Sequence, residues 1–533
     1  MNMLVHPQTN SLVLKVDDPF FIRGLLSKSK VITNRDDYNI AVKLTLEATR
    51  VLRNIGLDAP SPIEAFYSWP GKFKPLNHQI EMAEFHTMHK RSFNLSEMGA
   101  MKTASALWAA DWMMLQRIIH KCLIISPLST LERVWQQEIF DVLMHRRCAI
   151  VHGTRDERKQ ALACDVDFYI LNHDGVRITE IRDIIRKRSD INLIIVDEGS
   201  KFRNADKEKY KALRAMIRED QRLIWMTGTP CPTAPTDAWA QAKIICPTRV
   251  PQFFGAFKRQ TMTQITPFKW VPKPDAYKIA WNAMQPAIRF LKRDCIDLPP
   301  VVTEERKAPL SQEQKVAFKD MHTHMLMEYA ENKKTGRTIS AVNAADKVNK
   351  LRQILLGSIK DPATDDYMTI DHSPRLKVLV DTIEDASAKV LVVVPFKGII
   401  NALDAELKEI AKKDPRFTTA VLNGDVPTKA RDVIIRRFKF EKDPNILLCH
   451  PTVMAHGLNL TEADFLIFYG PIYSNDEFQQ VCERFNRAGQ TRKMTIVRIG
   501  AHPIEWAIYQ VVDTRGVTQN NILRLYEQIA EMK

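Results

Sequence analysis

The chain has 533 residues, of which 45% are hydrophobic and 26% charged, the balance of a folded globular protein and not of a disordered one. Its length admits about two to four domains, no apolar run approaches the ~20 residues that span a bilayer, and the opening MNMLVHPQTN lacks the charged start and apolar core of a secretory signal. A net charge of +14 favours a polyanionic partner, since neutralising phosphates releases counterions; eight scattered cysteines without a C-x-x-C pair argue against a zinc ribbon or disulfide framework and fit a reducing cytoplasm.

Residues 1–70 read as a small N-terminal accessory domain. Within it DDYNIAVKLTLEATRVLRNIGL carries apolar residues at helical spacing, and the DAPSP that follows, Asp58 to Pro62, stops the helix. Residues 71–249 then alternate helical stretches with short apolar runs: CLIIS (122–126), FYIL (168–171), LIIV (193–196) and RLIWM (222–226). Continuous apolar runs of this kind predict strands buried on both faces of a parallel sheet. A second series occupies 375–533, with VLVVV (390–394), TAVL (419–422), NILLC (445–449), FLIFY (465–469) and MTIVRI (494–499). Between them, 250–374 is marked by Pro299-Pro300 and a polar helical stretch, SQEQKVAFKDMHTHMLMEYAENKK, and reads as helical insertions plus a linker. The fold expected is α/β: two parallel-sheet lobes with helical insertions and a small N-terminal domain.

Four segments carry chemistry. The first, SEMGAMKTAS, almost spells the phosphate loop G-x-x-x-x-G-K-[ST], with Ser96 and Met101 where the glycines belong. Strand-like RSFNLS enters it and a good helix former leaves it. Backbone groups from Glu97 through Met98, Gly99, Ala100, Met101 and Ala104 would cradle phosphates at a helix N-terminus. Lys102 would reach the β- and γ-phosphates and the Thr103 hydroxyl would ligate Mg²⁺. An ordinary strand–helix junction with a surface lysine has the same look. The second, LIIVDEGS, ends an apolar strand in Asp197-Glu198; Asp197 can hold Mg²⁺ and Glu198 can activate a water, although acidic strand ends are also common turns. The third, RLIWMTGTP, places Thr227 and Thr229 at a strand end, suited to coupling. The fourth, QQVCERFNRAGQTRK, sets Arg484 and Arg487 three apart on one helix face, either as a solvated basic helix or as arginine fingers worth ~10³–10⁵ in rate. Together and in this order, over two matched α/β series, the four point to a nucleotide-hydrolysing machine.

The chain resembles a superfamily 2 helicase-type motor of the Swi/Snf-like branch, and most of all its compact phage-encoded members, from about Phe73 to the C-terminus. KPLNHQIEMAEF resembles the segment whose glutamine, here Gln79, reads adenine. SEMGAMKTAS resembles D-E-M-G-x-G-K-T, LIISPLSTLERVWQQEI resembles C-P-x-S-x-x-x-x-W-x-x-E, and VDEGSKFRN stands for D-E-x-H-x-x-K-N. MTGTP, LKRDCIDLPP, NKLRQILLGS, VLNGDVPTKARDVIIRRF, MAHGLNLTEAD and QQVCERFNRAGQ match further phrases of that branch.

The resemblance implies two RecA-like lobes clamping ATP and Mg²⁺. Gln79, Lys102, Thr103, Asp197 and Glu198 would stand on the first lobe, with Gly457, Gln480, Arg484 and Arg487 on the second. It implies a DNA-dependent ATPase, helicase or translocase, monomeric, without a membrane partner, in the host cytoplasm if phage-encoded. Pro127 to Ser129, His173, Asp174, Asn459 and Thr461 would face the backbone of duplex, forked or single-stranded DNA. Three departures stand out. Ser96 replaces an acidic residue, and Gly199-Ser200 stand where Ala-His is usual. If the position of Met101 needs a positive φ, the methionine costs roughly 1–3 kcal/mol, which the site overcomes with some loss of nucleotide affinity. A nucleotide-independent DNA-binding scaffold with a degenerate loop, and a P-loop phosphotransferase, remain the alternatives.

Overall fold

The computed structural model describes residues 3–33, 37–266, 269–295, 299–335, 341–360, 367–454, 460–486, 490 and 492–513. The chain divides into two compact units, Met1–Cys295 and Ile296–Lys533. Among the described residues no helix is long and apolar enough to cross a membrane.

The first unit opens with an antiparallel sheet of β1 (Met3–His6), β2 (Ser11–Leu14), β3 (Ser29–Val31) and β4 (Ile40–Lys43), in the order β1-β2-β4-β3. Here the expected continuous helix is corrected. Ile40 and Val42 are buried and Ala41 and Lys43 are not, a two-residue alternation that suits pairing with β2. The helix starts only at Leu46, where the Thr45 side chain accepts the N–H of Ala48, and it runs to Asn54. The unit's main sheet is all parallel, in the order β13-β5-β10-β9-β6-β8-β7. Its strands are β5 (Arg91–Asn94), β6 (Lys121–Ser126), β7 (Cys148–Val151), β8 (Phe168–Asn172), β9 (Ile191–Val196), β10 (Arg222–Met226) and β13 (Ala287–Ile288); β11 (Met262–Thr266) and β12 (Lys269–Pro272) form a separate hairpin.

Alternate side chains sort to the two faces. Leu123, Ile125, Ile194 and Val196 enter one core cluster, and Cys122, Ile124, Leu193 and Ile195 the other. Burial on both faces is why these segments read as unbroken apolar runs.

The second unit carries a parallel sheet in the order β14-β21-β20-β17-β19-β18. The strands are β14 (Val301–Lys307), β17 (Lys389–Val393), β18 (Thr419–Leu422), β19 (Ile446–Cys449), β20 (Ala463–Phe468) and β21 (Met494–Gly500), with β15 (Ser358–Lys360) and β16 (Tyr367–Thr369) as a small hairpin. The stretch 250–374, set aside in the sequence as insertions and linker, is divided instead. β13 joins the first sheet and β14 the second, and the polar helix Gln312–Thr335 belongs to the second unit. Neither strand announces itself: β13 has two residues, and β14 is polar along most of its length, VVTEERK.

Candidate nucleotide-binding site

Parallel strands deliver their C-terminal ends to one sheet edge, where open α/β sheets bind ligands. In the first unit β10 lies between β5 and β9. The loop after β5 (Leu95 to Met101), the turn after β10 (Thr227 to Pro230) and the acidic pair after β9 (Asp197-Glu198) therefore emerge side by side, each about 5 Å from the next strand over.

The loop is left-handed where glycine would be expected. Gly99 has φ +82° and Met101 φ +53°, ψ +41°. Met101 directly precedes the helix Lys102–Leu115, whose first N–H groups have no capping side chain. Lys102 Nζ donates to the carbonyls of Ser96 (2.7 Å) and Glu97 (2.9 Å), folding over its own loop. Gln79 is buried; its Nε2 donates to the Met101 carbonyl (3.3 Å) and its Oε1 accepts the Leu76 N–H (3.0 Å), so it braces the loop. Gly228 is needed for close approach, because a Cβ there would lie 3.0 Å from both the Cγ and the backbone N of Met98. Thr227 is buried, and its hydroxyl accepts the N–H of Thr229 (3.3 Å). Glu97, Met98, Gly99 and Thr103 are half-buried, while Ala100 and Ala104 are buried.

A strap that sequence reasoning missed holds the loop from outside. Leu95 N–H donates to the Ile288 carbonyl (2.8 Å) and Glu97 N–H to that of Phe290 (3.0 Å). Ser96 Oγ accepts the Phe290 N–H (3.0 Å), and Glu97 accepts that of Lys292 (3.0 Å). This gives the unusual Ser96 a structural role. The stem of Lys292 crosses Gly99, where a Cβ would come 3.1 Å from its Cε. The phrase LKRDC was the available signal.

Asp197 is held on every polar group. Its N–H donates to the Ile125 carbonyl (2.8 Å), and its Oδ1 accepts the Glu198 N–H (2.9 Å). Its Oδ2 accepts the Trp135 indole N–H (3.1 Å), and its carbonyl accepts from His173 Nε2 (2.8 Å). Glu198 sits at φ +47°, a conformation costing about 1–3 kcal/mol in a residue with a side chain. Gly199 is explained by Trp225: a Cβ would fall 2.1 Å from the indole nitrogen. That nitrogen donates to Gln241 Oε1 (3.0 Å), and Gln241 Nε2 donates to the Pro230 carbonyl (2.7 Å), linking the acidic segment to the T-G-T-P turn.

Of the residues expected to face nucleic acid, Pro127 and Ser129 are half-buried and Asp174 is exposed. His173 is corrected: it is 6% exposed, stacks edge-on against Phe202 and serves Asp197, and burial pushes its pKa down to about 4. In the second unit Arg484 is half-buried in the last turn of the helix Asn475–Phe485, with Gln480 half-buried one turn earlier. Thr461 lines a cavity of about 560 Å³ with Lys389, Arg416, Gln490 and Arg492. Gly457, Asn459 and Arg487 lie outside the described residues.

Residues 78–357 match the SNF2-related domain and residues 374–489 the helicase conserved C-terminal domain. The chain belongs to the SNF2-related family. It is built on two parallel-sheet α/β lobes. It is 24% identical over 422 residues to an uncharacterized ATP-dependent helicase of Mycoplasma genitalium, covering 78% of this chain and 38% of that one. Protein p41 of the Acyrthosiphon pisum secondary endosymbiont phage 1 is 24% identical over 476 residues, 82% of this chain and 94% of the relative. The SWI2/SNF2 ATPase core of Sulfolobus solfataricus in complex with dsDNA overlaps 87% of this SNF2-related chain and 96% of its own, at 21% identity and a TM-score of 0.41. The chain thus spans well under half of the Mycoplasma relative and nearly all of the phage one.

Proposed function

We propose that this SNF2-related chain is an ATP-driven DNA motor, a double-strand translocase or helicase serving phage replication, recombination or fork remodelling. One observation carries the reading: the lysine loop, the T-G-T-P turn and Asp197-Glu198 emerge from adjacent strands at one sheet edge. The uncapped N-terminus of the helix Lys102–Leu115 and the left-handed turn at Met101 fit a triphosphate. Lys102, Thr103 and the loop backbone from Glu97 to Ala104 would hold the phosphates, and Thr103 and Asp197 the Mg²⁺. Gln79 would meet the base, and Glu198 would take the proton from the attacking water. ATP supplies the hydrolysable bond when bound. Lys102 must first leave the Ser96 and Glu97 carbonyls it now serves.

In this reading Gly457, Gln480, Arg484 and Arg487 complete the site from the second lobe, with the guanidiniums offsetting charge on the phosphates. Thr227 and Thr229 couple the site to DNA, which Pro127, Ser129, Asp174, Asn459 and Thr461 contact through its backbone with weak sequence preference. Residues 1–70 act as an accessory module to the two lobes, in a monomer working in the host cytoplasm. The test is ATP turnover with single-stranded, duplex and forked DNA, alongside strand- and triplex-displacement readouts. Duplex stimulation abolished by Lys102→Ala supports the motor, and triplex displacement without strand displacement identifies a translocase. Turnover that ignores DNA, or phosphate passed to an acceptor other than water, refutes it.

A further inference from the structure

The N–H, the carbonyl and Oδ2 of Asp197 are tied to the two segments whose loops were expected to face nucleic acid. Its N–H is held by Ile125 in β6, the strand that feeds Pro127 to Ser129. Its carboxylate is held by Trp135, six residues beyond Ser129, and its carbonyl by His173, the first residue after β8. The outward side of the first loop is marked by Leu128, 55% exposed, while Trp135 is fully buried.

The connection between loop and indole is itself unusual. Pro127 leads into a single 3₁₀ turn, Leu128–Thr130, and then Leu131–Gln136 forms a π-helix before the chain relaxes to α-helix at Gln137–Val142. Over-wide turns of this kind are less stable than α-helix and concentrate at functional sites. Converting that run to α-helical winding shifts its register by one residue and rotates the following side chains by about 100°. The indole N–H would then swing away from Asp197 Oδ2. A second winding of this run, with one end at a surface loop and the other on a carboxylate, would supply the two-state element that energetic coupling between sites requires.

We infer that Trp135 is a positioning residue through which duplex DNA at Pro127–Ser129 sets the orientation of the Asp197 carboxylate, by a change in the winding of Leu131–Gln136. This rests on the motor reading. It predicts that Trp135→Phe, which keeps the ring but lacks the N–H that rewinding withdraws, raises turnover without DNA toward the duplex-stimulated level, cuts the fold stimulation by about tenfold or more, and by reciprocity lowers the duplex concentration giving half-maximal stimulation. Trp135→His, which restores a ring N–H donor, recovers part of the stimulation. A readout independent of turnover is the Trp135 indole ¹⁵N–¹H resonance, assigned by its absence from Trp135→Phe. It should shift when duplex DNA is added without nucleotide. His173→Leu, which frees the Asp197 carbonyl, should also lower stimulation, so the idea stays testable if the Trp135 variants do not fold. Equal stimulation of wild type, Trp135→Phe and His173→Leu, or an indole resonance that stays fixed while DNA demonstrably binds, overturns the coupling. A wild-type chain that duplex neither binds nor stimulates overturns the motor reading and the coupling with it.

Discussion

Met101 offers the sharpest test of the loop. Its backbone lies at φ +53°, ψ +41°, and a side chain in that region costs roughly 1–2 kcal/mol. Comparing Met101→Gly directly with wild type would mix this with the loss of a half-buried thioether, so the informative pair is Met101→Gly against Met101→Ala. Both remove the side chain beyond Cβ; only alanine keeps the left-handed penalty. In a helix interior alanine is the more stable by about 1 kcal/mol. Here the order should reverse, with glycine ahead by about 1 kcal/mol. For a unit of this size that is a difference of about 2 °C in Tm, measured by calorimetry. Because the Ile288–Lys292 strap fixes this loop from outside, the strain is common to the free and bound states and cancels from binding. The KM for ATP should therefore differ by less than about twofold between Met101→Gly and wild type, contrary to the affinity loss that the missing glycine suggested. An alanine variant as stable as the glycine one, or a tenfold drop in KM on introducing glycine, would refute a preformed left-handed turn.

Stability should fall on mild acidification. Burial lowers the pKa of His173 to about 4 and that of His86 to about 3, so the unfolded chain binds protons that the folded one does not. Each contribution is complete above the ordinary histidine range and is lost as pH falls toward those values; for His173 the loss between pH 8 and pH 5 is about 2 kcal/mol. Denaturant titrations at both pH values should show it, and His173→Leu should flatten the slope. In the second unit Arg375 and Glu505 pair at 2.5 Å, both 1% exposed. Arg375→Met leaves a buried carboxylate unpaired and should cost about 3–5 kcal/mol, visible as early melting of that unit. Gly199→Ala drives a Cβ into the Trp225 indole and should cost about 1–3 kcal/mol, which Trp225→Phe added to the same chain should recover in part; an unperturbed Tm in the single variant would contradict the packing.

Much of the machine was legible because its signals are local. Strands buried on both faces must be apolar at every position, so CLIIS, LIIV and VLVVV declare themselves without knowledge of their neighbours. The strand, the turn and the helix start around Lys102 follow one another in sequence, so that junction could be read from ten residues. The same locality misled at Asp36 to Leu57, where a four-residue strand and a nine-residue helix together imitate one helical period.

What the sequence by itself determined, then, is the order of the motifs and the class of the two sheets, because both are written in contiguous residues. Only the tertiary structure decided which groups hold Asp197, why Gly199 and Ser96 replace the usual residues, and where 250–374 goes. Those outcomes depend on contacts between segments 24 to 195 residues apart in the chain, such as His173 with Asp197 and Lys292 with Glu97. At such separations no local pattern records which side chain will meet which, and hydrogen-bond geometry after folding makes the choice.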